Sequence, residues 1–337
     1  MTTGSRNLSP APDAVGSDPV SPNSVREDSS APDSPSAASL EPGSLVTGPP
    51  SLGFGGWAEL LKLRITTFVA IAATTGGLLA APDAQLGHVL GAAFWIALSS
   101  AGASVFNQVL ERDTDALMER TAERPLVTGA IGLGFALVLG GALTVASTVG
   151  LVIGYGWTAG LLALGTLLTY VLIYTPLKRL STLNTVVGAL PGAMAPLIGA
   201  VAIAGEPGIW GYALFANLFV WQFPHFMAIA WLYRVDYARA GLKMLPTVPG
   251  GEALAGRQAF LQTIAILPTG LLPLLESKAT WLYAFGSTAV GIAYLVAAFA
   301  FMRSTTVKNA RRLLHTSLVY LPVLYGVALF DRIVLTF

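Results

Sequence analysis

Cysteine is absent from all 337 residues, which excludes disulfides, thiolate-held metals and a cysteine nucleophile. Charge is nearly as scarce. Asp, Glu, Lys and Arg together make up 11% of the chain, against about 25% in an ordinary soluble domain. The two signs almost cancel, leaving a formal net charge of +1, so no global field draws the chain to nucleic acid or to an acidic partner. What is present instead is apolar, with 54% of residues hydrophobic. One or two soluble domains, which length alone would allow, do not fit that balance.

The first 52 residues read differently from the rest. Ser, Pro, Asp, Gly and Ala dominate, as in Ser9-Pro-Ala-Pro-Asp-Ala. Such a segment buries too little apolar surface to offset its ordering entropy. Residues 1–52 are therefore expected to form a disordered Ser/Pro-rich tail ahead of a helical membrane domain over 57–337. The start has no basic stretch followed by an apolar core, so it does not read as a signal peptide. Scarce arginine and several acids argue against a transit peptide.

A helix needs about 20 apolar residues to cross the hydrocarbon layer. Charge-free stretches at 65–82, 84–110, 180–205, 207–233, 258–275, 279–302 and 313–330 each hold one span. The long stretch 125–177 holds two, divided near Gly154-Tyr155-Gly156. The expectation is an all-α, polytopic bundle of nine transmembrane helices. With that count, Lys62 and Arg64, Arg112, Arg120 and Arg124, Lys178 and Arg179, Arg234 and Arg239, and Arg303 to Arg312 share one side, while Lys278 and Arg332 lie opposite. Positive residues accumulate on the cytoplasmic side, so the N-terminus is expected there, in the inner cell membrane.

Two loops on that side, roughly 111–128 and 234–257, are long and rich in both signs of charge. In the first, Asn107, Glu111 and Asp115 recur every four residues. On an α-helix that spacing keeps side chains on one face, each about 6 Å above the last. The result is an oxygen-rich stripe with Arg112, Arg120 and Arg124 close by. Magnesium takes hard oxygen ligands and shares substrate phosphates, and arginine forks hold the remaining phosphate oxygens. A solvated helix end with salt bridges would show the same charges. The amide at its buried end favours the functional reading. The second loop adds Asp236 among basic neighbours, so two acidic clusters facing one cavity could hold metal around one diphosphate.

Several segments then carry a specific resemblance. Asn107-x-x-x-Glu111-Arg-Asp-x-Asp115 continues to Arg120-Thr and Arg124-Pro-Leu. Tyr174-Thr-Pro-Leu-Lys-Arg is followed by a long run from Asn184. Trp221-Gln-Phe-Pro-His-Phe leads to Tyr233-Arg-Val-Asp-Tyr-Ala-Arg-Ala-Gly. From about Trp57 onward the chain resembles the protohaem farnesyltransferase (haem O synthase) branch of the intramembrane aromatic, UbiA-type, prenyltransferase superfamily. One departure is visible: members usually have Lys-Pro-Arg where this chain has Lys62-Leu63-Arg64.

The resemblance implies nine helices around a central cavity open toward the cytoplasmic side. It implies transfer of a farnesyl group from farnesyl diphosphate to a vinyl group of haem b, with water adding to give haem O. Mg²⁺ would be held by Asn107, Glu111, Asp115 and Asp236. Lys62, Arg64, Arg112, Arg120, Arg124, Lys178, Arg179 and Arg234 become candidate diphosphate contacts. Tyr174 would stack on the macrocycle or anchor its helix at the interface. His225, inside an apolar span, would ligate or touch haem, or pack by hydrogen bonding. Internal Pro and Gly, as at Pro191-Gly192 and Pro196, suggest either broken helices lining a cavity or ordinary kinks. Partners would be farnesyl diphosphate, haem b, the lipid bilayer and a downstream haem A synthase or terminal oxidase assembly. The rivals are a sister enzyme prenylating a small aromatic or quinone precursor, and a multi-span transporter.

Overall fold

In lipid, a backbone N–H or C=O finds no water, so a chain this apolar must satisfy its backbone within each segment. The computed structural model of the protein describes residues 52–335; the rest of the expected tail, residues 1–51, lies outside them. Among the described residues the secondary structure is helical throughout, with nine helices long and apolar enough to cross a membrane. A short first helix, α1 (Phe54–Leu60), precedes them. The spans are α2 (Leu63–Ala80), α3 (Leu86–Asp115), α4 (Leu133–Tyr155), then α5 (Trp157–Leu168) continued by a π-helical turn and α6 (Thr175–Leu180). They go on through α7 (Asn184–Ala204) and α8 (Gly208–Leu232). The short α9 (Arg234–Arg239) lies in the second charged loop. Three spans then complete the domain: α10 (Gly251–Leu271), α11 (Trp281–Arg303) and α12 (Val307–Phe330).

Position within the bundle follows from burial. About 60% of the apolar windows of α7 and α8 is buried, and 56% of that of α3, against 22% for α4. The first three form the interior, and α4 presents most of its surface outward. Helices α2, α3, α7 and α8 pack against one another around the centre. Further from it, buried Tyr hydroxyls find partners as burial demands: Tyr283 donates to the Gly270 carbonyl at 2.7 Å, and Tyr294 to that of Trp221 at 3.1 Å.

Three local features bear on the sequence expectation. First, α3 runs on to Asp115, past the charge-free stretch, so the whole stripe lies on one helix. Second, α7 passes through Pro191 and Pro196 without breaking. The interruption falls in the fourth span, where residues Thr169–Tyr174 form a π-helix. Pro176 has no N–H, and its ring crowds the preceding turn. The Thr175 N–H reaches back five residues to the Tyr170 carbonyl, and its hydroxyl donates to the same oxygen at 2.9 Å. Third, the turn between α1 and α2 is made without proline. Lys62 sits in the left-handed region at φ 46° and ψ 52°, at a cost of about 1–2 kcal/mol for a non-glycine residue.

The two charged loops meet. The Arg120 guanidinium lies 5.2 Å from the centre of the Tyr233 ring. Met118 packs with Ala240 and Leu242. The Lys243 N–H donates to the Lys178 carbonyl at 2.8 Å, and Asn184 Nδ2 donates to the Lys243 carbonyl at 2.8 Å. One end of the bundle therefore carries both loops and the end of the stripe.

Candidate active site

The stripe is buried. Asn107, Glu111 and Asp115 are 0%, 9% and 1% exposed, and each meets a base from a different part of the chain. Lys62 Nζ donates to Asn107 Oδ1 at 2.7 Å. Lys178 Nζ lies 2.6 Å from Glu111 Oε1, and Arg124 Nη1 2.6 Å from Asp115 Oδ2. Arg124 also holds Glu59 of α1 through Nε at 3.3 Å. Buried carboxylates demand such partners, since an isolated one is prohibitively costly. Asn107 is fixed from its other side, donating Nδ2 to the Thr175 hydroxyl at 3.1 Å. The π-helical turn thus delivers Thr175, and just beyond it Lys178, to the stripe.

Lys62 is the most perturbed group outside the spans. Burial, then the Arg124 and Lys178 charges, push its ammonium down to about 7. An anion placed beside it would raise it again. Burial likewise raises Tyr237 of the second loop, opposed by the nearby Arg120 and Lys178 charges.

Lys62, which donates to Asn107, also stands on the wall of a cavity of about 580 Å³ whose lining includes none of the three stripe residues; the volume is within the usual range for small-molecule sites. Lys62, Arg64, Tyr170 and Tyr174 stand on its wall. Deeper in, Phe68, Trp221, Gln222, His225 and Phe226 line it. Tyr174 lies under Lys178 Nζ at 4.6 Å. His225 Nδ1 lies 2.7 Å from the Ser317 hydroxyl, with the Trp221 ring stacked on the imidazole at 4.6 Å.

The remaining expected residues are less gathered. Arg179 Nη2 donates to the Thr114 hydroxyl at 3.3 Å. Arg112 is exposed and makes no ion pair among the described residues. Arg234 donates to the Trp231 carbonyl at 2.9 Å and stacks over that indole at 4.6 Å. Asp236 pairs with Arg239 on its own short helix, at 3.6 Å. Among the described residues no three His, Asp or Glu side chains are gathered closely enough to hold one metal ion. The stripe itself suits magnesium chemically: an amide oxygen and two carboxylates, all hard donors, leave positions for water and phosphate.

Sequence reasoning missed Thr175, Gln222 and Ser317. Gln222 carried a usable signal, since an amide deep in an apolar span calls for a reason; it donates to the Ala189 and Leu218 carbonyls at 3.0 and 3.1 Å.

Residues 64–320 match the description of the UbiA prenyltransferase family. The chain belongs to the UbiA prenyltransferase family. A curated relative, the protoheme IX farnesyltransferase of Koribacter versatilis, is 39% identical over 82% of this chain and 93% of its own. Among solved structures, a digeranylgeranylglyceryl phosphate synthase aligns with a TM-score of 0.71 at 15% identity, over 83% of this chain and 98% of that one. A UbiA homolog from Archaeoglobus fulgidus, bound to DMAPP and Mg²⁺, aligns at 0.61 and 17% identity, over 81% and 99%. The UbiA fold accounts for the nine spans, and the chain is an integral membrane protein. Its membership extends through both charged loops and ends within α12.

Proposed function

We propose that this chain transfers the farnesyl group of farnesyl diphosphate to a vinyl group of haem b, water adding to the product, to give haem O and diphosphate. The observation that carries the reading is the buried stripe of Asn107, Glu111 and Asp115, paired with Lys62, Lys178 and Arg124, with Lys62 also on the wall of an aromatic-lined cavity. The activity named for the Koribacter versatilis relative supplies the acceptor.

The difficult event is ionisation of the allylic C–O bond, so catalysis consists in stabilising charge on the departing diphosphate. When bound, magnesium would neutralise part of that charge, with Asn107, Glu111 and Asp115 holding it, while Asp236 stays paired with Arg239 on the second loop. Lys62, Lys178 and Arg124 trade their pairing with the stripe for pairing with phosphate oxygens. Arg64, Arg112, Arg120, Arg179 and Arg234 supply the outer positive rim. The apolar wall keeps the allylic cation from bulk water until the vinyl group has reacted. The Lys and Arg bias supports an N-terminus on the cytoplasmic face of the inner membrane. The product would pass to a haem A synthase or terminal oxidase assembly.

Purified protein supplied with haem b, farnesyl diphosphate and Mg²⁺ should form haem O, read by chromatography. Prenylation of a small phenol with no haem O would favour the sister enzyme. A transporter typically keeps its acids near the midplane, whereas these are paired at one helix end. Lys62→Met is expected to raise KM for farnesyl diphosphate about 10–100-fold, the worth of a hydrogen bond to a charged group. Steady-state kinetics check this, and an unchanged KM would remove Lys62 from the diphosphate site.

A further inference from the structure

The His225 ring has a defined tautomer. Its Nδ1 lies 2.7 Å from the Ser317 hydroxyl on α12. That hydroxyl lies 2.6 Å from the Leu314 carbonyl. A carbonyl has no proton to give and a serine hydroxyl has one, so the serine proton goes to Leu314. Toward the imidazole Ser317 then only accepts, and Nδ1 must carry hydrogen. The neutral ring therefore keeps its lone pair on Nε2. No hydrogen bond reaches Nε2 among the described residues, yet it is not a sealed orphan, because His225 lines the cavity.

The ring is also held in orientation. Trp221 stacks on it with 22° between the planes, and the indole Nε1 donates to the Ser317 carbonyl at 2.9 Å. One residue of α12 thus orients both rings. Packing alone would be satisfied by the Nδ1 contact. It gives no account of a fixed lone pair opening on an apolar cavity, about 10 Å inside the end of α8 at 1.5 Å per residue.

We propose that Nε2 of His225 is the axial ligand to the iron of the haem acceptor. This rests on the reading of haem b as acceptor given above. Neutral imidazole is an established type of haem ligand. A ligating histidine gives its other N–H to an acceptor that fixes tautomer and ring orientation, which is the part Ser317 plays here. The surrounding wall suits a flat macrocycle: Phe68 lies nearly parallel to Trp221, at 6.3 Å and 21°, and Phe226, Leu321 and Pro322 are apolar. Ligation uses a lone pair that is already free, so it moves no proton and leaves the iron's oxidation state unchanged. It anchors the ring so that one edge is held toward the diphosphate end, where proximity favours the addition.

The chain has three histidines, His88, His225 and His315, so isotopic labelling gives a direct test. Full-length protein with ¹⁵N-histidine is loaded with ferric haem b in the absence of prenyl diphosphate. Pulsed EPR should show one histidine ¹⁵N coupled to the iron, and the coupling should persist in a His88→Ala/His315→Ala double variant. His225→Ala should lose it, bind haem about tenfold or more weakly, and recover a nitrogen-ligated spectrum when free imidazole is added. Ser317→Ala, which keeps the ligand and removes its orienting acceptor, should weaken haem binding about tenfold with the coupling retained. A wild-type spectrum without histidine ¹⁵N coupling, or one unchanged by His225→Ala, would overturn the proposal. The catalytic reading fails separately. Haem ligated by His225 with no haem O formed would overturn the reaction and leave the site, and haem O formed without a histidine-ligated intermediate complex would do the reverse.

Discussion

Asp115→Asn is expected to lower kcat/KM for farnesyl transfer about 10²–10³-fold, the usual loss when one preorganised electrostatic contact to a developing charge is removed. The substitution keeps the shape of the side chain and removes only its charge. Asp115 is 1% exposed and holds Arg124 Nη1 at 2.6 Å, so the change acts at a site where water cannot substitute. It also leaves a buried guanidinium short of a partner, which by itself can cost about 3–5 kcal/mol of stability. The two effects are separable. Glu59 retains the other side of Arg124 at 3.3 Å and is half-exposed, so the cation is not stranded and the variant should still elute as a folded species. Raised Mg²⁺ should restore part of the lost rate if Asp115 binds metal, and none if its part is structural. Glu59→Gln serves as the contrast. It breaks an ion pair at an exposed position, where such pairs are worth about 0–1 kcal/mol, and turnover should stay within a few-fold of the parent. A fully active Asp115→Asn protein would remove the metal assignment from the stripe.

The sequence made the stripe visible because its residues are local: a four-residue step on one helix is a property of the helix, whatever surrounds it. The nine spans were visible for the same reason, as gaps between charges. Partners were not visible. Lys62 reaches Asn107 across 45 residues and Lys178 reaches Glu111 across 67, distances that only tertiary packing closes. The sequence expectation offered the bases as candidate phosphate contacts, about half of them touching it, and did not foresee that three of them neutralise the stripe. Asp236 was expected with Glu111 and Asp115 on the ground that both loops share one side. The loops do meet through Arg120 and Tyr233, but Asp236 pairs locally with Arg239. Proline alone left broken helices and ordinary kinks both open. Pro191 and Pro196 leave α7 intact because packed neighbours stabilise the helix around the missing donors, while Pro176 coincides with a π-helical turn that no hydrophobic pattern announces. The missing proline at Leu63 changes little, since the turn there resides in the backbone of Lys62.

The second large effect is structural, and Gly199→Leu should destabilise the bundle by about 3 kcal/mol or more, the upper part of the range for overpacking. Between membrane helices lipid is as apolar as leucine, so association depends on close packing and small residues at the crossing. At α2 and α7 that closeness is extreme. A Cβ on Gly199 would stand 2.1 Å from the Ala73 carbonyl oxygen, and one on Gly76 would stand 2.0 Å from that of Pro196. Both obstacles are backbone, so no rotamer change relieves them and the helices must part. The cost then spreads to the site, because α2 supplies Phe68 and Val69 to the cavity wall and α7 supplies Pro191, Ala195 and Ile198. Activity should therefore fall together with the midpoint of heat-induced aggregation, unlike Asp115→Asn, where activity falls far more than stability. Gly141→Ala is the matched control: a Cβ there meets nothing within 4 Å, and the melting midpoint should hold or rise slightly, as helix propensity favours alanine. If Gly199→Leu melted like the parent, α2 and α7 could not cross at backbone contact, and the cavity wall they build together would have to be redrawn.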